Sequence, residues 1–244
     1  MTDFGGLPAA FVRTRDVLHR IAAHVLARRR HEVTGRLGLR ACPGGFGTPA
    51  FGDGPETLRV AGGFVVRERH GDCAYLPIGG SAMRALAAFA GTDITTEFAA
   101  GADTPPSGDI DEPFIVDSSS LRILADWYAL GWRVLDEVFA AVPATAEPAV
   151  IQLWPEHFDA GTSVGAGPGG RVNLGASPGD AHSAEPYLYV GPWGPERPGD
   201  PEFWNAPFGA TLTLSTLYKD ADPVAAGVEF LREGLRRVTE GSGT

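Results

Sequence analysis

The sequence predicts an α+β fold in which helices cover antiparallel sheet, and three observations carry that prediction. Apolar residues recur at helical spacing in three long stretches, near residues 9–30, 118–142 and 222–240. Between them lie short β-patterned runs joined by turns and not by crossover helices, which favours antiparallel pairing. Glycine (33) and proline (20) are clustered between the apolar runs, so many turns are expected and a helical bundle, coiled coil or collagen-like chain is excluded.

The elements follow in order. Residues 9–30 read as a helix that buries Val17, Leu18, Ile21, Val25 and Leu26 and turns Arg13, Arg20, Arg28 and Arg29 to water. From Val33 to Ala41 the period changes to two, with Leu37, Leu39 and Ala41 alternating with Arg36, Gly38 and Arg40 as in a half-buried strand. A turn over Cys42–Gly47 leads to strands near Thr57–Val60, Gly63–Arg69 and Cys73–Ile78. Ser81 is placed to cap a short helix through Phe89 that Gly91 ends. Residues 92–117 carry seven acids, no base and the break Thr104-Pro105-Pro106-Ser107-Gly108, so they read as a linker between an α+β half over 1–91 and another over 118–244.

Asp117 or Ser118 caps the strongest helix, with Leu121, Leu124, Tyr128, Leu135, Val138, Phe139 and Val142 inward and Pro143 as its stop. Strands are expected near Ala149–Trp154, Val172–Ala176, Tyr187–Val190 and Ala210–Leu217. The last helix opens at Asp222-Pro223, buries Val224, Val228, Leu231, Leu235 and Val238, and is followed by Gly241. Both halves thus read helix, strands, helix. That pattern allows an internal duplication on a shared sheet, although no residue-level identity between the halves supports it.

Charge and composition remove several function classes. A net charge of −10 and a pI near 5.0 disfavour nucleic acid and anionic membrane as partners. Arg28-Arg29-Arg30 reads as the solvated end of a helix, not a nucleic-acid patch. No secretory leader and no apolar run long enough to span a bilayer are present, so a soluble, cytoplasmic protein is expected. Cys42 and Cys73 form no CxxC pair and read as buried free thiols of a reducing compartment. A single lysine, Lys219, against many arginines points to a GC-rich genome.

Candidate chemistry is densest between Ile151 and Trp193. His157 and Asp159 are two residues apart, as are Asp180 and His182, and on extended chain each pair faces one side. Should the two segments be neighbours, two imidazoles and two carboxylates would suit a divalent transition metal such as zinc, manganese or iron. Glu185, or Glu156, would then be the acid–base group of a metal-assisted small-molecule hydrolase or lyase, with Tyr187, Tyr189 and Trp193 lining the substrate. The plainer alternative makes these histidines and aspartates hydrogen-bonded turn residues. Gly161-Thr162-Ser163-Val164-Gly165 matches the nucleophile-elbow pattern formally, but Ala166-Gly167-Pro168-Gly169-Gly170 cannot start the helix that motif needs, so Ser163 reads as a hairpin residue.

A second constellation is aromatic. Tyr187, Tyr189, Trp193, Phe203, Trp204 and Phe208 are interleaved with prolines, either walling a pocket or folding back onto the sheet. Gln152, Arg171, Asn173, Thr211 and Thr213 could add a polar face if their strands adjoin. This supports the alternative function, a non-catalytic ligand-binding or assembly protein; a small molecule is the expected partner, and a homo-oligomer is compatible with either reading.

The phrases Trp154-Pro155-Glu156-His157-Phe158-Asp159, Ser177-Pro178-Gly179-Asp180 and Glu185-Pro186-Tyr187 resemble those of a family of uncharacterised bacterial proteins. The resemblance covers residues 151–193 and implies no activity.

Overall fold

Gly35 decides where the first helix stops. In the computed structural model, which describes residues 6–167 and 170–241, Phe11–Ile21 (α1), a π-helical stretch Ala22–Ala27 and Arg28–Thr34 (α2) follow one another without a break. Gly35 then takes a left-handed φ of 68° and donates its N–H to His31 O at 2.8 Å, closing the helix. The helix therefore consumes Val33 and Thr34, and the expected strand over 33–41 shrinks to Arg40–Cys42 (β1). Leu39 still pairs as strand does, through a bridge to Leu153.

Every residue from Ile21 to Arg28 is buried. A second expectation changes with this, because the arginines here do not point to water. Arg28 is 5% exposed, and Arg29 lies on the buried carboxylate of Glu56 at 3.2 Å.

A five-stranded antiparallel meander follows: β1, Gly45–Gly47 (β2), Glu56–Ala61 (β3), Phe64–Arg69 (β4) and Asp72–Pro77 (β5), paired in chain order. Gly62-Gly63 and His70-Gly71 turn its hairpins with both residues at positive φ, the geometry that matches strand twist. On β3, Glu56, Leu58 and Val60 are buried and alternate with half-buried Thr57, Arg59 and Ala61. Leu58, Val60 and Val65 share one core with Leu18, Ile21, Val25 and Leu26 of the helix. Cys42 and Cys73 sit on the two opposite edge strands as free thiols, Cys42 half-buried and Cys73 exposed, not both buried as expected.

Met83–Ala90 (α3) is capped by Ala82 without a side-chain bond, not by Ser81, and is ended by left-handed Gly91. Residues 92–117 have no regular structure, yet they are strapped down. Arg20, His24 and Arg28, spaced four residues apart, donate to the carbonyls of Ser107, Pro105 (2.6 Å) and Thr96 (2.9 Å). Arg84 adds a two-point ion pair to Asp111 at 2.6 and 2.9 Å.

Ser118–Phe139 (α4) starts where Asp117 accepts from the Ser120 N–H at 2.7 Å. The second sheet has the order β10-β9-β8-β7-β6, with Gln152–Trp154 (β6), Asp159–Gly165 (β7), Arg171–Ser177 (β8), Tyr187–Pro192 (β9) and Ala210–Thr213 (β10). β7 was not expected from its glycines. The strand expected over 210–217 ends early, because Thr213 caps Leu214–Leu217 (α5) by accepting from the Thr216 N–H. Asp222 caps Pro223–Gly241 (α6) as expected, although Gly241 is its last residue and does not follow it.

The chain divides into two compact units. One holds Leu7–Ala129 with Leu153–Asp159, and so includes residues 92–117; the other holds Leu130–Gln152 and the described residues from Ala160 on. In the second unit Val172, Leu174, Ala176, Leu188 and Val190 are fully buried. Glycines bring the helices close to them: a Cβ on Gly131 would lie 2.5 Å from that of Ala176, and one on Gly234 2.5 Å from Val190 Cγ2. Among the described residues, no helix is long and apolar enough to cross a membrane.

Candidate functional site

Trp154–Asp159 forms the turn between β6 and β7. Phe158 holds a left-handed φ of 62°, unusual for a bulky residue, and its ring supplies the reason. That ring is buried against Phe46 (5.0 Å), Tyr128 (5.5 Å) and a parallel His19 (5.1 Å). Tyr128 donates its hydroxyl to Phe158 O at 2.7 Å, and His19 Nε2 lies 3.0 and 3.1 Å from the carbonyls of Pro155 and Glu156, to which it donates. Burial pushes the His19 imidazole down to about 4, against the weaker pull of those carbonyls, and pushes the Tyr128 hydroxyl well above its usual range. His157 is half-exposed beside Asp103 at 3.6 Å, whereas Asp159 is 9% exposed at the start of β7. The chain between them is left-handed, not extended, so the two-residue spacing does not give them a common face.

Asp180 and His182 belong to the other compact unit. Asp180 Oδ1 accepts from the backbone N–H of His182 (2.7 Å) and Ser183 (3.2 Å), and Oδ2 accepts from the Tyr187 hydroxyl (2.6 Å). The His182 ring packs edge-on against Tyr187 and Phe208 at 5.7 and 5.1 Å. Glu185 accepts from the Ser215 N–H in the first turn of α5. Among the described residues, no three His, Cys, Asp or Glu side chains group where they could hold a metal ion. Ser163 lies on β7 opposite Asn173, its hydroxyl accepting from Arg171 at 2.9 Å. Pro168 and Gly169 lie outside the described residues.

The aromatic stretch divides in two. Phe203 folds back on Phe230 (5.5 Å) and under Arg237 (4.6 Å), and Trp204 donates to Pro198 O at 2.9 Å. Tyr187, Tyr189 and Gly191 instead alternate along one side of β9, and Trp193 follows just beyond its end. Their cross-strand partners put Ser177, Gly175, Asn173, Thr213 and Thr211 on that same face, away from the Leu188 and Val190 side that meets α6. Arg171, Asn173, Thr211 and Thr213 thus share a face, as their alternation allows.

Tyr189 lies over Gly175, where a Cβ would fall 2.3–2.5 Å from its ring and hydroxyl, and a Cβ on Gly161 would stand 3.2 Å from that hydroxyl. Phe208 stands at 89° to it, with centroids 6.4 Å apart. Trp193 is 65% exposed and Phe208 38%. The Trp193 indole N–H donates to Asn173 Oδ1 at 2.8 Å, and the Arg171 guanidinium sits 5.9 Å from its ring. The glycines of this surface escaped sequence reasoning. The signal that finds them is the period-two series Tyr187, Tyr189, Gly191, Trp193, which continues through a glycine. Compared with protein-family models, curated proteins and solved structures, the chain matches none.

Proposed function

We propose that this chain is a non-catalytic small-molecule-binding protein whose ligand lies at the exposed Trp193 end of the second sheet, on the face opposite its helices. The observation that carries the reading is Trp193, a large aromatic left 65% exposed yet held by a hydrogen bond to Asn173. Fixing such a side chain before binding lowers the ordering cost of the complex, which is how a recognition surface gains affinity. Tyr189 and Phe208 widen the aromatic area, and Asn173 and Thr211 supply polar contacts. Asp180, His182 and Glu185 act here as scaffold, tying the 178–185 loop to Tyr187 and to α5. A hydrolase or lyase built on His157, Asp159, Asp180 and His182 has no comparable observation behind it.

A thermal-shift screen of a small-molecule library on the intact chain tests the reading. Some compounds should raise the melting temperature of the wild type and not that of Trp193→Ala, which should itself melt like the wild type. Responses that all survive Trp193→Ala, or no response at all, would contradict it.

A further inference from the structure

Resting on that reading, we infer that the ligand is a neutral saccharide and that one of its rings seats in a notch floored by Gly191. Tyr189 lies two residues before Gly191 on the same side of β9, and Trp193 two residues after it, just past the end of the strand, where its N–H still donates to Arg171 O of β8 at 2.9 Å. A residue without a side chain stands between them. Gly191 has no left-handed φ, so its backbone does not call for glycine; the missing side chain leaves room. A Cβ built there meets nothing closer than Asn173 Cβ and Phe208 O, both at 3.9 Å. These two residues bound the notch on either side, Asn173 from β8 opposite Gly191 and Phe208 from the segment leading into β10.

The walls select the ligand by their chemistry. Sugar rings present C–H faces, which stack on aromatic rings, and hydroxyls at their edges, which need amides or hydroxyls. Tyr189, Trp193 and Phe208 supply the first. Asn173 supplies the second: its Oδ1 is fixed by the indole N–H, which orients the amide nitrogen as a donor. None of these walls is a carboxylate. Two guanidinium groups stand beside the notch and both are engaged: Arg171 by the Ser163 hydroxyl and the carbonyls of Ser163 and Glu147, and Arg197 by the carbonyls of Gly194, Glu196 and Phe208. A phosphorylated ligand would find no uncommitted guanidinium there, and a purely apolar one would leave the Asn173 amide unpaired.

An array of neutral and charged glycans probed with the intact chain, followed by calorimetric titration of the best neutral oligosaccharide, tests this. Gly191→Val fills the notch with a residue that strands favour, so it should fold and melt like the wild type. It should bind the oligosaccharide roughly tenfold or more weakly, as should Trp193→Ala, a loss typical of one stacked aromatic contact. No bound glycan, or equal binding by Gly191→Val, overturns the saccharide assignment. A non-sugar library compound that needs Trp193 would overturn it too while leaving the binding-protein reading intact; ligands that all ignore Trp193 would overturn both.

Discussion

His19 and His24 show how burial sets the chemistry of a single residue. Both rings contact backbone carbonyls through Nε2, and burial lowers both imidazoles, His19 to about 4 from 6.5. Below pH 6.5 the unfolded chain therefore binds protons that the native chain refuses. Stability should fall as the pH drops from 6.5 toward 4, by at most about 3 kcal/mol for His19, and urea midpoints across that range check it. Glutamine donates to the same carbonyls without titrating, so a His19→Gln, His24→Gln double variant should show a flatter profile. Residue-scale function was the least legible part of the sequence. The spacing of His157 and Asp159 suggested a shared face only for extended chain, and left-handed Phe158 removes that condition. Nothing local announces a bulky residue at positive φ, since contacts from Phe46 and Tyr128, distant in sequence, hold it there.

At the scale of elements the helices and most strands were readable, because their amphipathic periods are local. Asp117 and Asp222 cap α4 and α6 where the sequence places them. The misses occur where tertiary contacts outweigh period. Gly35 lets the first helix run on to Thr34, and Thr213 turns a strand pattern into α5. The acidic 92–117 segment read as a linker because its apolar anchors, Ile94, Ala100, Ile110, Phe114 and Val116, follow no regular period. Its fastening comes from arginines elsewhere, so replacing Arg28 with methionine should speed limited proteolysis within 92–112, read by mass spectrometry. Helix packing yields a prediction against propensity. Alanine for glycine in mid-helix ordinarily stabilises by about 1 kcal/mol, yet at Gly131 the new methyl would strike Ala176, which cannot move aside. Gly131→Ala should cost about 1–3 kcal/mol in chemical denaturation.

Over the whole molecule, the chain crosses between its two compact units at residues 6–7, 129–130, 152–153 and 159–160, so neither unit is one continuous segment. Leu124, Tyr128, Leu153 and Phe158 complete the core of the first. A fragment of residues 1–117 lacks all four and should fail to give the dispersed amide spectrum of a folded domain. The proposed binding surface, by contrast, comes wholly from residues of the second unit. Titrating the best neutral oligosaccharide while recording the indole N–H signals of the five tryptophans tests that surface most directly. The Trp193 signal should move first and farthest, as the sugar seats against its ring. A static Trp193 signal while bound sugar shifts another indole, or shifts none, would contradict the proposed surface.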